Sequence, residues 1–357
     1  MKPRHLIIFV GLFVILLMLG VSLRRGSGGR DTLEGQVKLV RLFDSDFTVE
    51  GVSGVTISGV LSLPEKDEEA EPARREMVLA RDESGSWMVR AEKDVPADSQ
   101  KADALLTGLE NLSGDLRAEN RASHAGLGVA GENSLSIEIK YGRGNAAKSQ
   151  VLHIGERPIG DTDATYVRRE GENQVYRVEG NIRQMAGFDR SSVSAPERRY
   201  WLDLSIASFD YDDMERIVLD YPSKRMVFVK EKSAADMEDN QETAETEWRL
   251  EEGGEQEKFL SYRVDNLAYS LAALTAMDMA EAEDAAEAQE SGDKYAVAIE
   301  IAGRDALFTL TLYKTATAWF VESSLRPGLL YALEPTATER IFPPAEDFFQ
   351  EEEEAVE

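Results

Sequence analysis

Leu135-Ser-Ile-Glu-Ile-Lys-Tyr141 alternates apolar and polar side chains, and Tyr295-Ala-Val-Ala-Ile-Glu-Ile301 repeats that alternation in the second half of the chain. A period of two puts every second side chain on one face, so each stretch reads as a strand with one buried and one wet face, as in an antiparallel sheet. Ile137 and Ile299 lie 162 positions apart, Trp87 and Trp248 161, and Tyr176 and Tyr331 155. Nearly one offset superposes three separated landmarks, so the chain reads as one module written twice.

Around the first landmark, Val55-Thr-Ile57, Met77-Val-Leu79 and Trp87-Met-Val89 read as strands. Ala102, Leu105, Leu106, Leu109 and Leu112 recur at helical spacing behind a cap at Asp98 or Ser99. Beyond a Gly-rich turn and the alternating strand come Val151-Leu-His-Ile154, Thr165-Tyr-Val167 and Val175-Tyr-Arg-Val178. The second half restarts at Arg216-Ile-Val-Leu219, Met226-Val-Phe-Val229 and Trp248-Arg-Leu250, followed by a helix carrying Leu267, Leu271 and Leu274 behind a possible cap at Asp265. Phe308, Leu310 and Leu312, then Ala318-Trp-Phe-Val321 and Leu329-Leu-Tyr-Ala-Leu333, supply its later strands. The expected fold is α+β: an N-terminal transmembrane helix and two similar modules, each a mainly antiparallel sheet with one or two packed helices. The boundaries expected are 1–30 for anchor and spacer, 31–190 for the first module, 191–213 for a junction, 214–346 for the second module and 347–357 for an acidic tail. Pro64 to Glu76, Glu231 to Glu247 and Glu281 to Asp293 are rich in Glu, Asp and Ala and read as solvated loops, the last also as a continuation of the preceding helix.

The first thirty residues hold Lys2, Arg4, Arg24, Arg25 and Arg30 and no acid, so 40 − 5 = 35 basic residues face 67 acidic ones in the remainder, a net of −32. Nucleic-acid binding requires Lys and Arg to displace counterions from phosphates, and this balance excludes it. The absence of Cys excludes disulfide scaffolds, thiolate metal sites and Cys nucleophiles. From Leu6 to Leu23 the sole polar side chain is Ser22, and at about 1.5 Å per residue this helix approaches the roughly 30 Å hydrocarbon thickness. Arg24 and Arg25 follow it where a cleavable signal peptide would carry a small-residue site, which makes it an uncleaved anchor. A short tail before a first hydrophobic segment stays inside, placing the bulk of the chain outside the cytoplasm, with Gly26 to Gly29 as a flexible spacer.

Gly126-Leu-Gly128-Val-Ala-Gly131 has dinucleotide-fingerprint spacing, but it precedes a strand instead of opening a helix and reads as a turn. Asp161-Thr-Asp163 begins like a calcium loop, yet Tyr166 stands where that loop needs Gly. The histidines His5, His124 and His153 have no paired spacing, and His153, within a strand, reads as a satisfied structural residue. Tyr200-Trp201 and Trp319-Phe320 read as core or junction aromatics, and Phe348-Phe349 as a partner-docking segment. No catalytic, cofactor-binding or metal-ligating set emerges.

The ordered motifs Trp87, the leucine helix, Gly126-Leu127, the alternating strand, Ile154-Gly155, Tyr166-Val167 and Val175-Tyr-Arg-Val178 resemble the bacterial domain of unknown function 4340. The resemblance is clearest from Trp87 to Arg190 and recurs more faintly from Trp248 to Phe342. Members of that family are often encoded beside ABC-type transporter and gliding-motility-type components, which implies an accessory or scaffold role at the inner membrane without catalysis. Two alternatives are a cell-envelope module binding polysaccharide or peptidoglycan, and a hydrolase using carboxylates.

Overall fold

A computed structural model of the protein describes residues 39–60, 74–90, 94–131, 134–142, 147–161, 163–188, 196–232, 246–290 and 293–350. The expected anchor, its glycine spacer and residues 351–357 lie outside these, and among the described residues no helix is long and apolar enough to cross a membrane.

The first half runs β1 (Val40–Arg41), β2 (Val52–Val60), β3 (Arg74–Arg81), β4 (Trp87–Arg90), β5 (Val95–Pro96), α1 (Ser99–Glu110), β6 (Ser113–Ala118), β7 (Leu135–Tyr141), β8 (Lys148–Ile154), β9 (Ala164–Arg169), β10 (Val175–Glu179) and α2 (Ile182–Met185). After α3 (Arg198–Trp201) come β11 (Met214–Asp220), β12 (Arg225–Lys232), β13 (Thr246–Glu252), α4 (Ser261–Ala272), β14 (Asp278–Met279), α5 (Ala282–Glu290), β15 (Lys294–Ile301), β16 (Phe308–Lys314), β17 (Trp319–Ser323), β18 (Tyr331–Leu333) and α6 (Pro335–Ile341). Two antiparallel sheets with a few helices make the fold α+β. The ten-stranded sheet has the order β1-β6-β10-β9-β8-β7-β2-β3-β4-β5, and the eight-stranded sheet, read from its β14 edge, β14-β18-β17-β16-β15-β11-β12-β13. Without the outermost β1 and β5, the two orders match strand for strand.

The match extends to irregularities. The β2–β7 ladder slips between Val52 and Gly54, and the β11–β15 ladder slips between Met214 and Arg216, at the same place in each sheet. Counting from that bulge, Val55 pairs with Ile139 as Ile217 pairs with Ile299. The ladder equivalent of Ile299 is therefore Ile139, two residues from the Ile137 that spacing alone selects; loops of unequal length blur the offset.

In α1, Asp98 accepts hydrogen bonds from the Gln100 and Lys101 amides, and Ala102, Leu105, Leu106 and Leu109 are buried. Each such Leu contributes about 1.5–3 kcal/mol by leaving water. In α4 the buried stripe is Val264, Leu267, Ala268, Leu271 and Ala272. Asp265 is not its cap: Leu260 holds that position without a side-chain bond, and Asp265 lies one turn inside. The Leu260 amide is instead satisfied by the Phe348 carbonyl at 2.9 Å. α2 packs on α1 as α6 packs on α4.

Residues 282–290 form α5, separated from α4 by β14, because Ala288 buries against Tyr313, Phe320 and Leu330; they neither stay a loop nor extend α4. Phe348 is fully buried 4.9 Å from the Phe228 ring, and Phe349 packs beside Gly254. This pair packs into the core of the second half and is not free to dock a partner.

A single hydrophobic core runs through both halves. The segment between them is bonded to each. The Asp98 amide donates to the Trp201 carbonyl at 2.8 Å and the Asp203 amide to the Pro96 carbonyl at 3.0 Å. On the other side the Ile206 amide reaches the Leu274 carbonyl at 2.9 Å and the Ala276 amide the Leu204 carbonyl at 2.8 Å. Trp201 is fully buried in this seam, and Arg326 forms an ion pair with Asp203.

Candidate functional site

The loop before β7 covers the outer face of the first sheet. Arg121–Ser123 form a 3-10 turn capped by Asn120, and Gly126 to Gly131 continue it into β7 instead of opening a helix. The Leu127 carbonyl accepts from the Glu156 amide at 3.1 Å, and a Cβ on Gly155 would fall 2.1 Å from that oxygen. The Gly126-Leu127 and Ile154-Gly155 motifs are thus two sides of one close backbone approach. Val129, fully buried, helps close the loop over the sheet.

Beneath this loop His153 is 6% exposed although Leu152 and Ile154 take the core face of β8. Its Nδ1 lies 2.7 Å from Ser134 Oγ, and its Nε2 bonds Glu170. A carboxylate can only accept, so Nε2 carries a proton, and the single proton of the serine hydroxyl lies between Nδ1 and the Gly131 carbonyl, which also can only accept. Burial pushes the His153 pKa below its ordinary value, against the opposing pull of Glu170. The imidazole bond in turn holds the Glu170 carboxyl below its usual range. The chain Ser134–His153–Glu170 combines residue types of a nucleophilic triad, but Ser134 is 2% exposed, and its hydroxyl also lies 2.7 Å from the Gly131 carbonyl. It clamps the loop to the sheet.

Arg168 stands directly opposite His153 in the β8–β9 ladder. It is buried, donating Nε to the Val129 carbonyl at 3.1 Å and Nη1 to the Arg169 and Glu172 carbonyls at 3.2 Å. Beside it opens a cavity of about 690 Å³ lined by Arg121, His124, Gly131, Arg168, Glu170 and Gly171 among others. His124 Nε2 is satisfied by the Asn173 carbonyl at 2.9 Å. The second sheet places Thr311 where His153 stands and Glu322 where Arg168 stands, as the β16–β17 ladder shows.

The other sequence candidates are accounted for locally. Asp161 pairs with Arg177, which holds its carboxyl below the usual range, and the Asp163 carbonyl receives the Gly180 amide. His153 is a satisfied structural residue, and His5 lies outside the described residues. Among the described residues no three His, Asp or Glu side chains converge to hold a metal. Sequence reading passed over Ser134, Arg121, Arg168 and Glu170. The available signal was His153 on the outward side of a strand whose neighbour in the sheet is preceded by a long loop able to cover it.

A second concavity of about 310 Å³ lies between the halves, bringing Val95 of the first together with Met279, Ala285 and Leu330 of the second. At its rim Arg198 and Glu281 stand 3.6 Å apart.

The family model described as Domain of unknown function (DUF4340) matches residues 87–294. No curated protein and no solved structure matches the chain.

Proposed function

The chain belongs to the family described as Domain of unknown function (DUF4340), and from that premise we propose that it is a single-pass, membrane-anchored, extracytoplasmic accessory protein. Leu6 to Leu23 hold it in the inner membrane, and its two modules, copies of one fold, act as a non-catalytic scaffold for an ABC-type transport complex.

The seam carries this reading. Backbone bonds from residues 201–206 to both halves, with Trp201 and the Arg326–Asp203 pair between them, make two sheets one continuous body. A body of that kind presents a broad fixed surface, whereas an enzyme built at a domain junction uses a cleft that opens. Affinity purification of the full-length protein from solubilised membranes tests it. Integral transport components are expected at fixed stoichiometry, and recovery of the protein alone from gently solubilised membranes argues against the scaffold.

One observation favours a second reading, polysaccharide binding. Tyr262 and Tyr269, 52% and 60% exposed, lie on one side of α4, about 10 Å apart by helical rise. Rings at that spacing suit stacking on alternate sugars. Retention on immobilised peptidoglycan or glycan, lost in Tyr262→Ala, would favour it.

A further inference from the structure

We propose that the cavity beside Arg168 is a receptor for a single carboxylate group. The buried guanidinium leaves one nitrogen unused. Nε and Nη1 are committed to three backbone carbonyls, which fix the plane of the fork. Among the described residues the nearest carboxylate oxygen to Nη2 is on Glu170 at 3.8 Å, beyond hydrogen-bond reach, and that carboxylate is already held by His153. A rigid, buried guanidinium with its Nη2 uncommitted thus lines a cavity of about 690 Å³.

A second cation lines the same wall. Arg121 is exposed and forms no ion pair among the described residues, yet it sits near enough to Arg168 for their like charges to repel. Two guanidiniums converging on one cavity are stabilised by an anion between them. Charge decides which anion. Glu172 is neutralised by Arg169 at 3.2 Å, so among the described residues the wall sets Arg121 and Arg168 against Glu170. The surplus is a single positive charge, in a chain whose net charge is −27. A monoanion balances it, and Arg168 Nη2 together with the Arg121 guanidinium can donate to the two oxygens of one carboxylate.

The second half provides an internal comparison. There Glu322 replaces Arg168 and Thr311 replaces His153, and Glu322 accepts from the Tyr313 hydroxyl at 3.3 Å. The same sheet position carries the opposite charge, so the fold itself does not require the buried arginine.

Calorimetric titration of the full-length protein with sodium acetate, against sodium chloride at equal ionic strength, tests the assignment. A tripeptide with a free C-terminal carboxylate, the same tripeptide amidated, and inorganic phosphate complete the series. Saturable binding of acetate or the free tripeptide is expected, with none of the amidated peptide; the tighter of the two binders tells whether the carboxylate comes from a small acid or a chain end. Arg121→Ala, an exposed position, should weaken binding at least tenfold while leaving the circular dichroism spectrum unchanged, and Arg168→Lys should weaken it by removing the Nη2 donor. Absence of saturable binding to the wild type overturns the proposal. So does affinity unchanged in Arg121→Ala, or phosphate binding ten times tighter than acetate.

Discussion

Asp103 and Asp265 are each the fifth residue of their helix, α1 and α4, and 265 − 103 = 162 positions separate them, the offset that repeats across the chain. Asp103 accepts from the Trp87 indole at 3.2 Å. Asp265 accepts from the Tyr211 hydroxyl, and Tyr211 stands 162 positions after Val49 in an equivalent 3-10 turn. A cation completes each group: Arg81 lies across the ladder from Trp87 with its guanidinium 4.4 Å from the ring centre, and Lys230 faces Trp248 in the same way at 5.9 Å. Asp103→Ala is expected to cost about 1–2 kcal/mol by leaving the indole N–H unpaired. Asp265→Ala should cost as much and also lower the Tyr211 pKa, now pushed up to about 12 by burial and the Asp265 bond. Urea unfolding followed by tryptophan fluorescence checks both, and the two losses should add in the double variant.

Gly155→Ala should be among the most damaging single-methyl additions. Its Cβ would fall 2.1 Å from the Leu127 oxygen, so the loop must lift from β8 at a cost of about 3 kcal/mol. Gly126→Ala, whose nearest neighbour would be 3.9 Å away, should change stability by less than about 0.5 kcal/mol. Thermal denaturation of the two variants separates this steric account from general intolerance of the motif.

Alternation and helical spacing made the long strands and both long helices readable, because each buries a continuous apolar stripe. β6 escaped notice: Ser113-Gly-Asp-Leu-Arg-Ala118 lacks such a stripe, and Gly114 is required where a Cβ would meet the Arg177 oxygen at 2.8 Å. The Asp265 cap was misread because an acid near a helix start has the same local pattern whether it bonds amides or a distant tyrosine. The polar cluster was illegible for a different reason. Ser134, His153 and the pair Arg168 and Glu170 come from three separate segments, and only the β8–β9 register sets His153 opposite Arg168.

His153 ties stability to pH. Burial lowers its pKa in the folded protein below 6.5, so the unfolded chain takes up the proton more readily. The stabilising contribution of the neutral imidazole is therefore present above pH 6.5 and lost as pH falls from there through the lowered folded value. His153→Gln should cost about 1–2 kcal/mol near neutrality and flatten that part of the profile. Urea midpoints measured from about pH 7.5 to about pH 5 report the change in slope.

Trp201 is expected to couple the halves. Trp201→Ala should lose about 3–5 kcal/mol and split one cooperative unfolding transition into two, since this residue fills the seam through which the core passes from one half to the other. Differential scanning calorimetry distinguishes that outcome from uniform destabilisation with one transition.

Protease access in intact spheroplasts tests most directly the claim that this is an anchored protein acting outside the cytoplasm. With the full-length chain, the account predicts that added protease degrades the folded body while residues 1–30 stay with the membrane, whose alkaline washing releases none of the undigested protein. Full protection of the body until the membrane is ruptured, or release by alkaline washing, would contradict it.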